Sequence, residues 1–99
     1  MTTRDAVVAI LGQAIDTMNA QLPPARKLEK SPAFALVGTG STVESLTLMG
    51  LVVDIEDRLM DAFGFELPLA DMIGLPLEQN PFRSLDALAD ALAEGVAAR

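Results

Sequence analysis

Apolar residues recur at helical spacing in three segments of the chain. In the first, Val7, Val8, Leu11, Ala14, Ile15 and Met18 fall at helical intervals, and Thr2-x-x-Asp5 ahead of them has the form of a capping box. The spacing predicts a helix over residues 3–20. In the second, Leu48, Val52, Ile55, Leu59 and Phe63 step by four, three, four and four, with Asp54, Asp57, Arg58 and Asp61 on the remaining faces. This predicts a helix from near Ser45 to about Ala62, about 27 Å long at 1.5 Å per residue. In the last, Leu85, Leu88, Leu92 and Val96 form the stripe expected to be buried. Ser84 stands at the N-cap position and Asp86 in the first turn, where the helix dipole favours negative charge. The predicted helix covers residues 85–97.

Between the first two helices lies a long connection, residues 21–44, marked by Pro23-Pro24, Pro32 and Gly38-Thr39-Gly40-Ser41. Loops of that length act in function or fold onto the core, and Phe34, Leu36 and Val37 predict the latter. From Gly64 to Arg83 the prolines Pro68, Pro76 and Pro81 leave room only for a short helical piece such as Leu69 to Ile73. The pattern is all-α: an up-and-down four-helix bundle with a long first loop and a short third helix. No repeat or low-complexity tract occurs.

Composition narrows the chemistry. A chain of 99 residues is expected to form one domain over residues 1–99, and at that size it hides only about two-thirds of its unfolded surface, too little for a deep enclosed active site. Apolar residues make up 51% of it but only four are aromatic, all Phe, which favours helix packing over sheets. Without Cys or His there is no disulfide, no thiol centre and no imidazole base or ligand. The acids show no Asp-x-Asp-x-Asp spacing for calcium, and no segment offers the nucleophile–base pair a hydrolase needs. The first residues do not read as a signal peptide, and the apolar run Leu48 to Val53 is far short of the roughly 20 residues that span a bilayer. The expectation is a cytoplasmic protein with no stable membrane insertion.

Charge is uneven. Residues 1–43 hold Arg4, Arg26, Lys27 and Lys30 against Asp5, Asp16 and Glu29, a net of +1; residues 44–99 hold eleven acids against Arg58, Arg83 and Arg99, a net of −8. Such a surface repels nucleic acid and anionic lipid and attracts proteins that present Lys and Arg.

Glu44-Ser45-Leu46 sits where a polar Gly/Ser/Thr loop turns into the strongest amphipathic helix. It resembles the Asp-Ser-Leu signature of acyl carrier proteins, in which the Ser opens the second helix and accepts the prosthetic group. The resemblance continues through Leu48-Met49, Leu51-Val52-Val53 and Ile55-Glu56-Asp57, then Phe65-Glu66-Leu67-Pro68. Pro81-Phe82-Arg83-Ser84-Leu85, leading into Leu88-Ala89-Asp90, is similar to a branch of stand-alone bacterial carriers. The match covers roughly residues 36–95. Ser41-x-x-Glu44 also has capping-box spacing, which would start the helix a turn earlier and leave Ser45 inside it.

The resemblance implies a carrier rather than an enzyme. On that resemblance Ser45 is expected to carry a covalent 4′-phosphopantetheine arm, flanked by Glu44 and by Leu46, which is expected to anchor the turn beneath it. The arm's thiol would then hold an acyl or aminoacyl group as a thioester, as in lipid or secondary-metabolite biosynthesis. The implied partners are a phosphopantetheinyl transferase, a loading ligase, and downstream synthases or transferases with basic surfaces, meeting a monomeric carrier. Physical chemistry favours the same position, because a phosphodiester at a helix N-terminus meets unpaired N–H groups and the positive end of the dipole. Asp54, Glu56, Asp57 and Asp61 are either the partner-docking face or merely a solvated one. Met49, Val52, Leu67, Ile73 and Leu85 either line an acyl pocket or are simply core. Gly38-Thr39-Gly40 has no following Lys and reads as a turn. The rival reading is a helical protein-interaction module with the same bundle that is never modified.

Overall fold

Thr2 and Asp5 form the capping box that their spacing predicts. The Thr2 hydroxyl accepts from the Asp5 N–H at 3.1 Å, and the Asp5 carboxylate accepts from the Thr2 N–H at 3.1 Å. From this cap α1 runs Thr3–Asn19 in the computed structural model, which describes residues 2–38, 41, 43–64 and 66–98. Helices α2 (Ser45–Phe63), α3 (Leu69–Met72) and α4 (Leu85–Ala98) follow, with 3-10 turns at Pro24–Arg26, Leu77–Gln79 and Pro81–Arg83. No strand occurs among the described residues, so the fold is all-helical, as the periodicity implies. The 3-10 turns escape a periodicity argument because each is shorter than one α-helical turn; a proline begins or precedes each of them.

Helix α1 is the element that touches both other long helices. It buries Val7, Ile10, Leu11, Ala14 and Ile15 against Leu48, Leu51, Val52, Ile55 and Leu59 of α2 and Leu85, Leu88, Ala89 and Leu92 of α4. Val8 departs from expectation: it is 45% exposed, and Ile10 takes the core position instead. The cause is an uncovered gap between α1 and α4 into which Val8 opens. Arg58 ties α1 to α2, with Nε on Asp54 at 2.7 Å, Nη2 on Thr17 Oγ1 at 2.7 Å and Nη1 on Gln13 Oε1 at 3.3 Å.

The long first connection does fold onto the core. Leu28 and Leu36 are buried, with Phe34 and Val37 half-buried beside them. Asn19 clamps the backbone of Leu28, donating Nδ2 to its carbonyl at 3.0 Å and accepting its N–H on Oδ1 at 2.7 Å. The loop also satisfies the start of α4. Leu85 N–H donates to the Phe34 carbonyl and Asp86 N–H to the Pro32 carbonyl, while Ser84 Oγ accepts from the Ala87 N–H at 3.0 Å as the N-cap.

Two glycines have evident reasons. Gly64 closes α2 at φ +74° and donates its N–H to the Met60 carbonyl. Gly95 lets Leu67 press onto α4, since a Cβ there would lie 2.8 Å from the Leu67 Cδ2. Gly12, inside α1, has none: a Cβ added there meets no atom within 4 Å. Gly12→Ala is therefore expected to stabilise the fold by up to about 1 kcal/mol, raising the Tm by about 4–8 °C in thermal unfolding followed by circular dichroism. A lower Tm would contradict the open packing at this position.

Candidate functional site

Ser45 is the first helical residue of α2 and is exposed to solvent. Glu44 is the N-cap residue in extended backbone conformation, and its side chain makes no capping hydrogen bond. Its carboxylate instead pairs with the Arg26 guanidinium from the first 3-10 turn. Arg26 and Lys27 border a small notch together with Glu44 and Thr47, so two of the chain's seven cations stand beside the start of α2. The alternative capping box is not formed: Ser41 Oγ accepts from the Val43 N–H at 3.2 Å, and α2 does not begin a turn earlier.

The three long helices thus begin differently. The first turn of α1 is satisfied by its capping box, and that of α4 by Ser84 and two loop carbonyls. Among the described residues no side chain caps α2. Its leading N–H groups and the positive end of its dipole therefore lie beside the exposed Ser45, with Arg26 paired to the neighbouring Glu44.

Leu46 is a correction. It does not anchor a turn: the residue is 85% exposed. The reason is angular. At about 100° per residue Leu46 points away from the Leu48–Ile55–Leu59 stripe that faces α1. Val53 at 52%, Met49 at 42% and Met60 at 40% are also exposed. Together with Leu46 they fall within about 60° of arc on the outer face of α2. This second apolar stripe was legible in the sequence, because α2 carries apolar residues on two arcs where a simple surface helix carries one. Glu56 lies along one flank of the stripe, Asp57 and Asp61 along the other.

Asp57 and Asp61 are exposed as expected, and Glu56 is half-buried. Asp54 departs from the expected surface position: its side chain is 29% exposed and held by Arg58, so it belongs to the α1–α2 contact. Met49, Val52 and Leu85 do not converge on one pocket. Met49 faces solvent, Val52 is wholly buried in the core, and Leu85 lines the gap between α1 and α4; Leu67 and Ile73 pack half-buried against the core. Thr39 and Gly40 of the glycine-containing stretch, and Phe65 of the Phe65-Glu66-Leu67-Pro68 motif, lie outside the described residues.

Among the described residues no three acidic side chains cluster as a metal site, and no helix is long and apolar enough to cross a membrane. No protein-family model, curated protein or solved structure matches this chain.

Proposed function

We propose that this protein is an acyl carrier. Ser45 bears a 4′-phosphopantetheine arm, and the arm's thiol holds an acyl or aminoacyl group as a thioester for partner enzymes. The observation that carries the reading is the start of α2, where an exposed serine hydroxyl meets a first turn left without a side-chain cap. A phosphodiester at that hydroxyl gains hydrogen bonds from the free N–H groups and a favourable interaction with the dipole, and Arg26 stands close by on Glu44. The acyl-carrier arrangement of the helices, with a long first loop and a short third helix, is part of the same reading.

The outer face of α2 supports a docking role beside the arm. Leu46, Met49, Val53 and Met60 offer an apolar strip, and Asp57 and Asp61 border it with negative charge. A partner helix or groove with apolar and basic residues fits such a surface, burying the strip and steered by the charge. The same strip also favours the second reading, an interaction module that is never modified. Incubation with coenzyme A and a broad-specificity phosphopantetheinyl transferase separates the two: one added arm supports the carrier, and no addition supports the module.

Docking makes its own prediction. Leu46→Glu and Asp57→Lys are each expected to lower the transferase kcat/KM about tenfold, about 1.4 kcal/mol, without loss of helix content. Glu94→Lys, on the exposed side of α4, serves as the distant control. Equal losses at Asp57 and Glu94 would reduce the effect to net charge, and no loss at either α2 position would remove this face from docking. Asp54→Lys is expected to act differently, lowering thermal stability because it sets a second cation against Arg58.

A further inference from the structure

A recess of about 180 Å³ opens between α1 and α4, walled by Val8, Leu11, Ile15, Leu85 and Ala89. No residue of α2 lines it. An apolar cavity of about 150 Å³ accepts benzene, so there is room here for an alkyl or aryl group of about six carbons.

The charges at its rim do not balance. Arg4, Lys30 and Asp86 line the recess. Lys30 is matched by Asp16, one cation to one carboxylate at 2.8 Å. Arg4 is shared by two carboxylates, its Nε donating to Asp90 at 2.8 Å and its Nη2 to Asp86 at 2.5 Å. Two cations against three carboxylates leave a net of −1 at the rim, within a protein of net charge −7. Of the two acids on Arg4, Asp86 is the one that lines the recess. A carboxylate has about four acceptor sites. Arg4 occupies Asp86 Oδ1, while Oδ2 receives no donor among the described residues and the side chain is 59% exposed. An anion in the recess would be repelled by this surplus, and a cation would be attracted to it.

Gly12 lines the same recess, and a side chain at this position would extend into open space. Gly95 has a packing reason to lack a side chain, in the close approach of Leu67; Gly12 weakens α1 with no such contact. What its small size provides is the opening itself.

We propose that the α1–α4 recess binds a small amphipathic cation, an ammonium carrying an alkyl or aryl group of about six carbons. The apolar group packs on Val8, Leu11 and Ile15, and the ammonium donates to Asp86 Oδ2. The site is independent of Ser45 and of whether that residue carries an arm.

The test titrates the unmodified protein at neutral pH and low ionic strength with hexylammonium, 1-hexanol and hexanoate, following backbone amide NMR shifts. Saturable shifts are expected at Val8, Gly12 and Ala89, with hexylammonium about threefold tighter than 1-hexanol, the size expected of one exposed ion pair, and hexanoate weakest. Asp86→Asn should equalise hexylammonium and 1-hexanol while keeping the shifts. Glu94→Gln removes the same charge from an exposed position outside the recess and should leave the preference intact. Gly12→Leu, which fills the recess with a good helix former, should abolish binding of all three. Unsaturable shifts, hexanoate as tight as hexylammonium, equal loss of the preference in Asp86→Asn and Glu94→Gln, unchanged binding in Gly12→Leu, or shifts centred on Leu46, Met49 and Val53 would each overturn the proposal.

Discussion

Ser45→Ala is expected to take no phosphopantetheine arm under conditions in which the wild type takes one, and Ser41→Ala to be modified like the wild type. The contrast rests on what each hydroxyl does. Ser45 is exposed at the first position of α2, beside N–H groups that no described side chain caps. Ser41 is half-buried in the preceding loop and already accepts from the Val43 N–H. Ser84 is engaged as the cap of α4 and is no competitor. Intact-protein mass measures the outcome, and circular dichroism checks that Ser45→Ala keeps its helices, as loss of an uninvolved hydroxyl should allow. An arm that persists in Ser45→Ala and disappears in Ser41→Ala would move the site to the loop and break the correspondence with the carrier signature.

Asn80→Ala is expected to destabilise the fold by about 2–4 kcal/mol, because it strips a satisfied polar group from the interior and leaves its partners unpaired. Asn80 is 2% exposed. Its Oδ1 accepts from the Phe82 N–H at 2.9 Å, and its Nδ2 donates to the carbonyls of Ile73 at 2.8 Å and Leu75 at 3.1 Å. These bonds join the chain after α3 to the 3-10 turn that places Phe82 in the core, and the Phe82 carbonyl in turn receives the N–H groups of Leu36 and Val37. The Tm should fall by at least about 8 °C at this chain length. Denaturant unfolding gives the free energy directly; a loss below about 0.5 kcal/mol would contradict the buried network. Asn80→Asp should also be destabilising, since it replaces the double donor with a buried charge.

The helices were legible because their boundaries have local causes. Thr2-x-x-Asp5 and Ser84 are caps whose partners lie within three residues, and the prolines between Gly64 and Arg83 limit helix length through their own geometry. Contacts between distant parts of the chain were not legible. Nothing in the spacing pairs Arg26 with Glu44, Arg58 with Thr17, or Asn80 with Ile73, since those depend on how separate elements meet. Asp54 looked like a surface acid for the same reason: its partner Arg58 gains its purpose from α1. Leu46 and Val8 show a different limit. Both are apolar residues within amphipathic helices, and the sequence marks them as candidates for burial without saying that nothing covers them. Around Ser45, the residue order located the start of α2, while the absence of a cap from Glu44 required the structure.

The carrier reading is tested most directly by the mass of the Ser45-containing peptide from protein purified from its native host. The account predicts a phosphopantetheine adduct on that peptide, with or without an acyl or aminoacyl group on its thiol. Consistent recovery of that peptide unmodified, under growth conditions in which the protein is abundant, would contradict the account and leave α2 as the docking face of an interaction module.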